Sequence, residues 1–210
     1  MTASNKLGKW KDFDDKLKSK PRRVGRAAAR LFAKKGFAET SMDEIAAASK
    51  VSKGGMYYYF LSKSEVLFFI LIDYMELLLD HLEEDLASIA EAEDKLKFII
   101  TRHIEMYTKN VYEVKTLLHE AHCLPPKYFK VIAANQRRYF QMMADIISEL
   151  RGVDIKKSDL NILTFLLFGE CNWIYWWYDP KGDVSPKELS KTICESFLDG
   201  IRKSPAKSKG

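Results

Sequence analysis

The 210-residue sequence predicts an all-α fold, and three observations carry that reading. Apolar residues recur at helical spacing along most of the chain, and capping boxes open several of these stretches. No stretch alternates apolar and polar residues as a half-buried strand does. Apolar residues make up 47% of the chain, enough to build an ordinary globular core. The apolar run from Val66 to Ile72 is only seven residues. A bilayer needs roughly 20, and no charged-then-apolar leader opens the sequence. The cysteines, Cys123, Cys171 and Cys194, lack CxxC spacing, which argues against a disulfide scaffold or zinc ribbon and suits a reducing compartment. The expectation is a soluble, cytoplasmic protein with no membrane partner.

Residues 1–20 alternate Lys with Asp around an isolated Trp10 and Phe13, which reads as a basic N-terminal arm ending at Pro21. Arg22 to Lys35 places Val24, Ala27, Ala28, Leu31 and Phe32 on one helical face, and Gly36 closes it. Ser41-Met42-Asp43-Glu44 is a capping box that opens a short helix to about Ala48, with Ile45 and Ala46 inward. Ser52 caps another after only Ser49-Lys50-Val51. Two short helices joined by so tight a turn, packed on a longer one, form a helix-turn-helix. Ser62 and Glu65 make a second box, opening a long apolar helix from about Lys63 to beyond Leu86. Further helices are expected over Lys95–Thr108, Val111–His122, Tyr128–Leu150, Lys156–Tyr178 and from the Ser185/Glu188 box to Gly200. Pro125-Pro126, Gly152 and Asp179-Pro180-Lys181-Gly182 supply the breaks, and residues 203–210 read as a disordered basic tail.

The charge is concentrated at one end. Residues 1–66 hold 15 Lys/Arg against 7 Asp/Glu, and the remaining 144 hold 19 against 22. A basic head on a mildly acidic body fits a protein that meets a polyanion at one end only, although a solvated basic surface has the same composition. The N-terminal side chains of a recognition helix enter the major groove. Here these are Ser52, Lys53, Gly54 and Gly55, with Lys53 able to donate to guanine or to phosphate. Two glycines in a helix cost about 1 kcal/mol each, which suggests close approach of the backbone to something. Val51, Met56 and Phe60 are the core that holds the angle between the short helices.

Residues 22–67 resemble the DNA-binding domain of the TetR family of bacterial transcriptional regulators. The resemblance lies in Leu31-Phe32, Gly36-Phe37, Thr40-Ser41-Met42-Asp43-Glu44-Ile45-Ala46 and Val51-Ser52-Lys53-Gly54-Gly55-Met56-Tyr57-Tyr58-Tyr59-Phe60, followed by Lys63. It implies that Tyr57 and Lys63 contact phosphates, that Thr40 sits at the DNA backbone, and that Tyr58 and Tyr59 face the groove or its edge. Plain helix packing is the alternative for each tyrosine. One position departs from the family pattern: Lys50 stands where Gly usually precedes the valine of the turn. A left-handed backbone there strains a lysine by about 1 kcal/mol. A remodelled turn avoids that strain, and Lys50 is available as an added phosphate contact.

The family resemblance also implies that the rest of the chain binds an effector and dimerises. The segment Asn172-Trp173-Ile174-Tyr175-Trp176-Trp177-Tyr178-Asp179-Pro180-Lys181-Gly182 and the following Ser185-Pro186-Lys187-Glu188-Leu189 resemble members that regulate fatty-acid and related acyl-CoA breakdown. Such a site needs an apolar tunnel and cations for the coenzyme phosphates. Tunnel candidates are Ile99, His103, Ile104, Tyr107, Leu118, Phe140, Phe165, Phe168, Asn172 and Trp173. Arg102, Arg137, Arg138 and Lys130 are the candidate cations. The alternative is a multidrug-type sensor, whose cationic ligands would meet Glu105 or Glu170 beside aromatic faces. Leu163, Phe197, Leu198 and Ile201, on the last two helices, are candidates for a homodimer interface.

His119-Glu120-Ala121-His122-Cys123 is not HExxH, and two ligands on one turn are incomplete for zinc. No GxSxG elbow or activated nucleophile is present. The sequence therefore predicts no metal, no cofactor and no catalytic residue. Its domains are expected at residues 1–20 (arm), 21–66 (DNA-binding), 67–202 (effector-binding and dimerisation) and 203–210 (tail). The expected function is a homodimeric repressor, released from a palindromic DNA operator by a small apolar effector. A ligand-binding helical protein with a vestigial DNA-binding head is the remaining alternative.

Overall fold

A computed structural model describes residues 15–152, 155–179 and 181–203. Most of the basic N-terminal arm, with Trp10 and Phe13, and residues 204–210 of the tail lie outside the described residues. Every regular element among the described residues is helical: α1 (Asp15–Lys35), α2 (Met42–Ser49), α3 (Lys53–Tyr59), α4 (Lys63–Leu79), α5 (Leu82–Ala87), α6 (Ala92–Lys109), α7 (Val111–Glu120), α8 (Pro126–Arg151), α9 (Lys157–Asn172), α10 (Ile174–Trp177) and α11 (Pro186–Lys203). A single 3-10 turn, Ala121–Cys123, follows α7.

The chain forms two compact units. The first runs up to Leu77 and includes Asn110–Gln136; the second comprises Leu78–Lys109 and Arg137 onward. In the first unit, Val24, Ala28 and Phe32 of α1 are buried, as are Ile45 of α2, Met56 of α3, Phe60 and Val66. Phe60 meets Phe69 edge-on at 5.3 Å. Helix α7 packs along α1, where Thr116 Oγ1 reaches the Ala29 carbonyl at 3.5 Å and Arg30 lies 5.7 Å over the Tyr112 ring. In the second unit α6 packs against α11. Ile99, Ile100 and Ile104 from α6, and Ile193, Phe197, Leu198 and Ile201 from α11, are buried. The expectation that Phe197, Leu198 and Ile201 line a dimer surface is corrected: the amphipathic stripe of α11 is used inside the protomer.

Local chemistry explains most helix ends. Ser41 and Glu44 form the reciprocal box, Glu44 N–H to Ser41 Oγ at 3.2 Å and Ser41 N–H to Glu44 Oε2 at 2.8 Å. Lys35, then Ser41, holds the Glu44 carboxyl down at about 2, so the cap keeps its charge over the whole ordinary pH range. Ser185 and Glu188 repeat the box with Pro186 as the first helical residue. The Ser62 cap is a variant: its hydroxyl accepts from Glu65 N–H at 3.3 Å, but the Glu65 carboxylate reaches past it to Leu61 N–H at 3.0 Å.

Three boundaries differ from the sequence reading. Helix α1 begins at Asp15 and carries Pro21 in its interior, where one backbone hydrogen bond is forgone. The long helix from Lys63 stops at Leu79, because His81 adopts φ +51° and α5 starts anew. Arg102 stabilises this break, donating through Nε to the Leu78 carbonyl at 3.1 Å and through a terminal nitrogen to the Asp80 carbonyl. The break also places Glu83, Glu84 and Asp85 in the first turn of a helix, where the helix dipole favours carboxylates. Continuing α4 would have put them near its C-terminus, where it does not. Finally, α9 ends at Asn172, and Ile174–Trp177 forms a separate turn of helix.

Candidate DNA interface and effector site

The tight turn between α2 and α3 is closed by Lys50, which sits at φ 53°, ψ 39°. Its N–H bonds back to Ala47 O at 3.1 Å and Arg23 donates to its carbonyl at 3.3 Å. The left-handed backbone is therefore real, and lysine bears a strain of about 1–2 kcal/mol that glycine would not. Ser52 then caps α3, its Oγ accepting from Gly55 N–H at 3.2 Å.

The expected DNA-facing residues divide into two groups. Lys53, Gly54, Tyr57 and Tyr58 are exposed, the two tyrosines by 41% and 63%. Lys53 is not idle: its ammonium lies 2.9 Å from the Asp43 carboxylate, linking α2 to α3. Asp43 was not among the expected site residues, although its i+10 spacing across a helix-turn-helix would have suggested the pair. The two glycines differ. A Cβ at Gly55 would come within 3.1 Å of Ser52 Oγ and 3.2 Å of Val51 Cγ1, so an internal contact explains that glycine. A Cβ at Gly54 would meet nothing within 4 Å, so the chain itself supplies no reason for glycine there.

Thr40, Tyr59 and Lys63 are turned toward the protein. Thr40 is buried and donates to the Gly36 carbonyl at 2.9 Å. Tyr59 is 7% exposed, with its ring 5.0 Å from that of Tyr58 and 6.5 Å from that of Phe60. The expectation that Tyr59 faces the groove is corrected: with Met56 and Phe60 it forms the inner face of α3. Lys63 donates to the carbonyls of Phe37 at 2.6 Å and Ala38 at 2.9 Å, with its ammonium 4.4 Å over the Phe37 ring. It ties the turn after α1 to the start of α4.

In the second unit, several of the expected effector-site residues form one cluster. His103 is buried, with Nδ1 3.0 Å from Tyr139 Oη and Nε2 3.2 Å from Asn172 Oδ1. Burial lowers its pKa to about 4, so the imidazole is neutral at physiological pH. Because Asn172 Oδ1 only accepts, the ring proton belongs on Nε2, and Nδ1 accepts from the Tyr139 hydroxyl. Tyr107 donates to the Asn172 carbonyl at 2.5 Å. Phe168 closes on His103 and Tyr139 edge-on and stacks on Phe140 at 5.9 Å. Ile99 and Ile104 are fully buried on the same helix as His103.

Other candidates lie elsewhere. Phe165 and Trp173 are 65% and 58% exposed, and Leu118 is exposed on α7 in the first unit. Arg102 is committed to the α4–α5 break, and Arg138 pairs with Glu83 at 2.6 Å. Glu105 pairs with Lys109 at 3.0 Å on an exposed face. Tyr139 was missed by the sequence reading: it neighbours Phe140, and no local signal says which of two adjacent aromatic residues turns inward. Among the described residues no three His, Cys, Asp or Glu side chains converge as metal ligands. Burial, then Glu120, pushes the Cys123 thiol upward, which disfavours the thiolate.

A family model described as "Bacterial regulatory proteins, tetR family" matches residues 26–68, and one described as "Tetracyclin repressor-like, C-terminal domain" matches residues 90–201. A fatty acid metabolism regulator protein of Bacillus subtilis (strain 168) is 29% identical, over 83% of this chain and 92% of its own length. The HTH-type transcriptional repressor KstR2 of Rhodococcus jostii (strain RHA1) is 27% identical, over 83% and 87%. Among solved structures, a TetR-family regulator from Bordetella parapertussis 12822 superposes with TM-score 0.82 at 30% identity, over 89% of this chain and 97% of that one. AibR in complex with isovaleryl coenzyme A and operator DNA superposes with TM-score 0.73 at 27% identity, over 84% and 97%. Among the described residues, no helix is long and apolar enough to cross a membrane.

The two glycines give opposite expectations. Gly54→Ala is expected to leave stability unchanged or raise it by up to about 1 kcal/mol, since alanine is the better helix former. It should nevertheless weaken DNA binding about tenfold, a loss worth ~1.4 kcal/mol. Gly55→Ala should lower stability by up to about 1 kcal/mol, as Ser52 shifts and its cap loosens. Thermal unfolding beside a DNA titration separates them; equal DNA affinity for Gly54→Ala and wild type would remove the close-approach reading.

His103 sets a pH dependence. Its folded pKa lies below the unfolded value of 6.5, so the unfolded chain takes up the proton first. The stability is present above pH 6.5 and is lost as pH falls toward about 4. Denaturant unfolding across that window should show wild type losing up to about 3 kcal/mol more than His103→Gln. Parallel pH profiles for the two proteins would contradict the neutral, buried assignment.

Proposed function

The chain belongs to the TetR family of bacterial transcriptional regulators, and on that premise we propose that it is a homodimeric repressor released from its operator by an acyl-CoA thioester. The family is one of regulators, not enzymes. Residues 21–66 read DNA in this proposal, and residues 67–202 bind the effector and dimerise. The observation that carries the effector assignment is the His103–Asn172–Tyr107–Tyr139 network within an aromatic shell, buried but for the half-buried Asn172. Asn172 gives its side-chain oxygen to His103 and its backbone carbonyl to Tyr107. Its amide nitrogen remains the network's donor, suited to the carbonyl of a thioester at the head of an apolar chain. The likeness to AibR, solved with isovaleryl coenzyme A and operator DNA, and to a fatty acid metabolism regulator supports the same chemistry.

The route from effector to head follows the chain. Helix α6 carries His103 and Tyr107 and continues through Asn110 into α7, which packs on α1 of the head. An effector that prefers one setting of α6 would therefore bias α7 and α1, and the coupling is limited by its differential affinity for the two settings. The exposed face of α9, with Ile162, Phe165 and Leu166, continues into Trp173, Trp176 and Trp177. That apolar surface is the dimer interface of this proposal, with Gly169 allowing close approach.

The decisive experiment selects a bound duplex from a random-sequence DNA pool with the purified protein. Its release is then titrated with acyl-CoAs of graded chain length, the matching free fatty acids and cationic dyes. Release by acyl-CoA alone, with a chain-length optimum, is expected. Release by dyes with acyl-CoA silent would replace this effector class with that of a multidrug-type sensor. For the interface, Phe165→Glu combined with Leu166→Glu should sediment as a monomer and lose at least tenfold in affinity for the selected duplex, a change of about 1.4 kcal/mol. A double variant that stays dimeric would move the interface elsewhere.

A further inference from the structure

The cations of the head are not equivalent. Lys35 is paired with Glu44, Lys53 with Asp43 and Arg22 with Asp73. Lys63 donates to two backbone carbonyls. Lys50 and Arg23, together with Arg26, Arg30 and Lys34, form no ion pair among the described residues, and all five are exposed. What sets Arg23 and Lys50 apart is the side-chain hydrogen bond from Arg23 to the carbonyl of Lys50, at 3.3 Å.

That bond joins the two residues into a unit. Lys50 occupies a left-handed conformation in which glycine or asparagine is the residue of lower energy. Arg23 braces that conformation from α1, and the one bond among the described residues holds a planar guanidinium of five N–H donors beside the turn. Lys50 lies two residues before Ser52, the cap of α3, so both cations flank the end of α3 that carries Lys53 and Gly54. A strained lysine kept at a turn where glycine would relax the backbone is a departure from local consistency, and such departures concentrate at functional positions.

We propose that Lys50 and Arg23 form a clamp for the DNA phosphates that border the groove entered by α3. The clamp rests on α3 being the DNA-reading helix. It adds affinity without sequence preference, because phosphate contacts position the protein and carry no base information.

That property makes the test independent of the operator. The affinity of the full-length protein for a short mixed-sequence duplex is measured by fluorescence anisotropy over a series of salt concentrations, with thermal unfolding in parallel. Lys50→Gly should unfold at a higher temperature than wild type, yet bind several-fold more weakly at low salt. Its log–log salt dependence should be shallower by about one per head. Arg23→Gln should weaken binding in the same direction, and Lys50→Arg should retain the wild-type slope. A Lys50→Gly protein with unchanged affinity and slope overturns the clamp and leaves Lys50 as a helix cap only. Lys53→Ala in the same titration separates the two readings. If it weakens binding while Lys50→Gly does not, the clamp alone fails; if neither does, α3 is not the DNA-reading helix and the clamp fails with it.

Discussion

The geometry of the head depends on one ammonium group. Helices α2 and α3 are eight and seven residues long, too short to be stable alone, so their mutual angle must come from what they are fastened to. Lys63 supplies the fastening: from the first turn of α4 it grips the carbonyls of Phe37 and Ala38 and lies over the Phe37 ring. Phe37 in turn meets Phe32 of α1 at 5.3 Å. The turn held this way carries Thr40, bonded back to Gly36, and delivers the chain to the Ser41 cap of α2. Tyr59 and Phe60 then close α3 over the same core. A cation that the family resemblance assigns to DNA is thus engaged in holding the short helices in place.

The second unit is organised by a different constraint, which is the burial of polar groups in an aromatic interior. A neutral imidazole has one donor and one acceptor, and His103 uses both within the protein. Each partner satisfies the next, so the network costs little to bury, and any change that left one member unpaired would cost far more than the bond itself contributes. This fixes the orientation of Asn172 at the very end of α9. Orientation at that point matters because the chain there turns from a regular helix into the tryptophan-rich segment.

Much of this was legible in the residues. The Ser41/Glu44 and Ser185/Glu188 boxes, the glycine stops at Gly36 and Gly152, and the inward faces of α2 and α3 follow from local rules and appear as expected. The features that escaped depend on partners distant in sequence. The break at His81 is stabilised by Arg102, 21 positions on, which no local window connects to it. Tyr57, Tyr58 and Tyr59 are chemically alike, and only the packing of α3 separates the buried one from the two exposed ones. The apolar stripe of α11 looked like an interface because amphipathicity does not say whether its partner is the same chain or another. Residues of α9 show the reverse, since Phe165, a candidate for the effector tunnel, stands at the surface.

The division of the chain into units does not follow its order. The backbone passes from one unit to the other after Leu77, again after Lys109 and again after Gln136. A recombination event that joins a foreign sensor to this head at one point, anywhere near residue 77, would strand Asn110–Gln136 on the wrong parent. Helix α7 would then be asked to pack on an α1 it was not selected to fit, losing the Thr116 and Tyr112 contacts. Chimeras that exchange specificity must therefore transplant two separate stretches together. Exchange of a whole head is therefore harder for such a chain than its division into two units suggests.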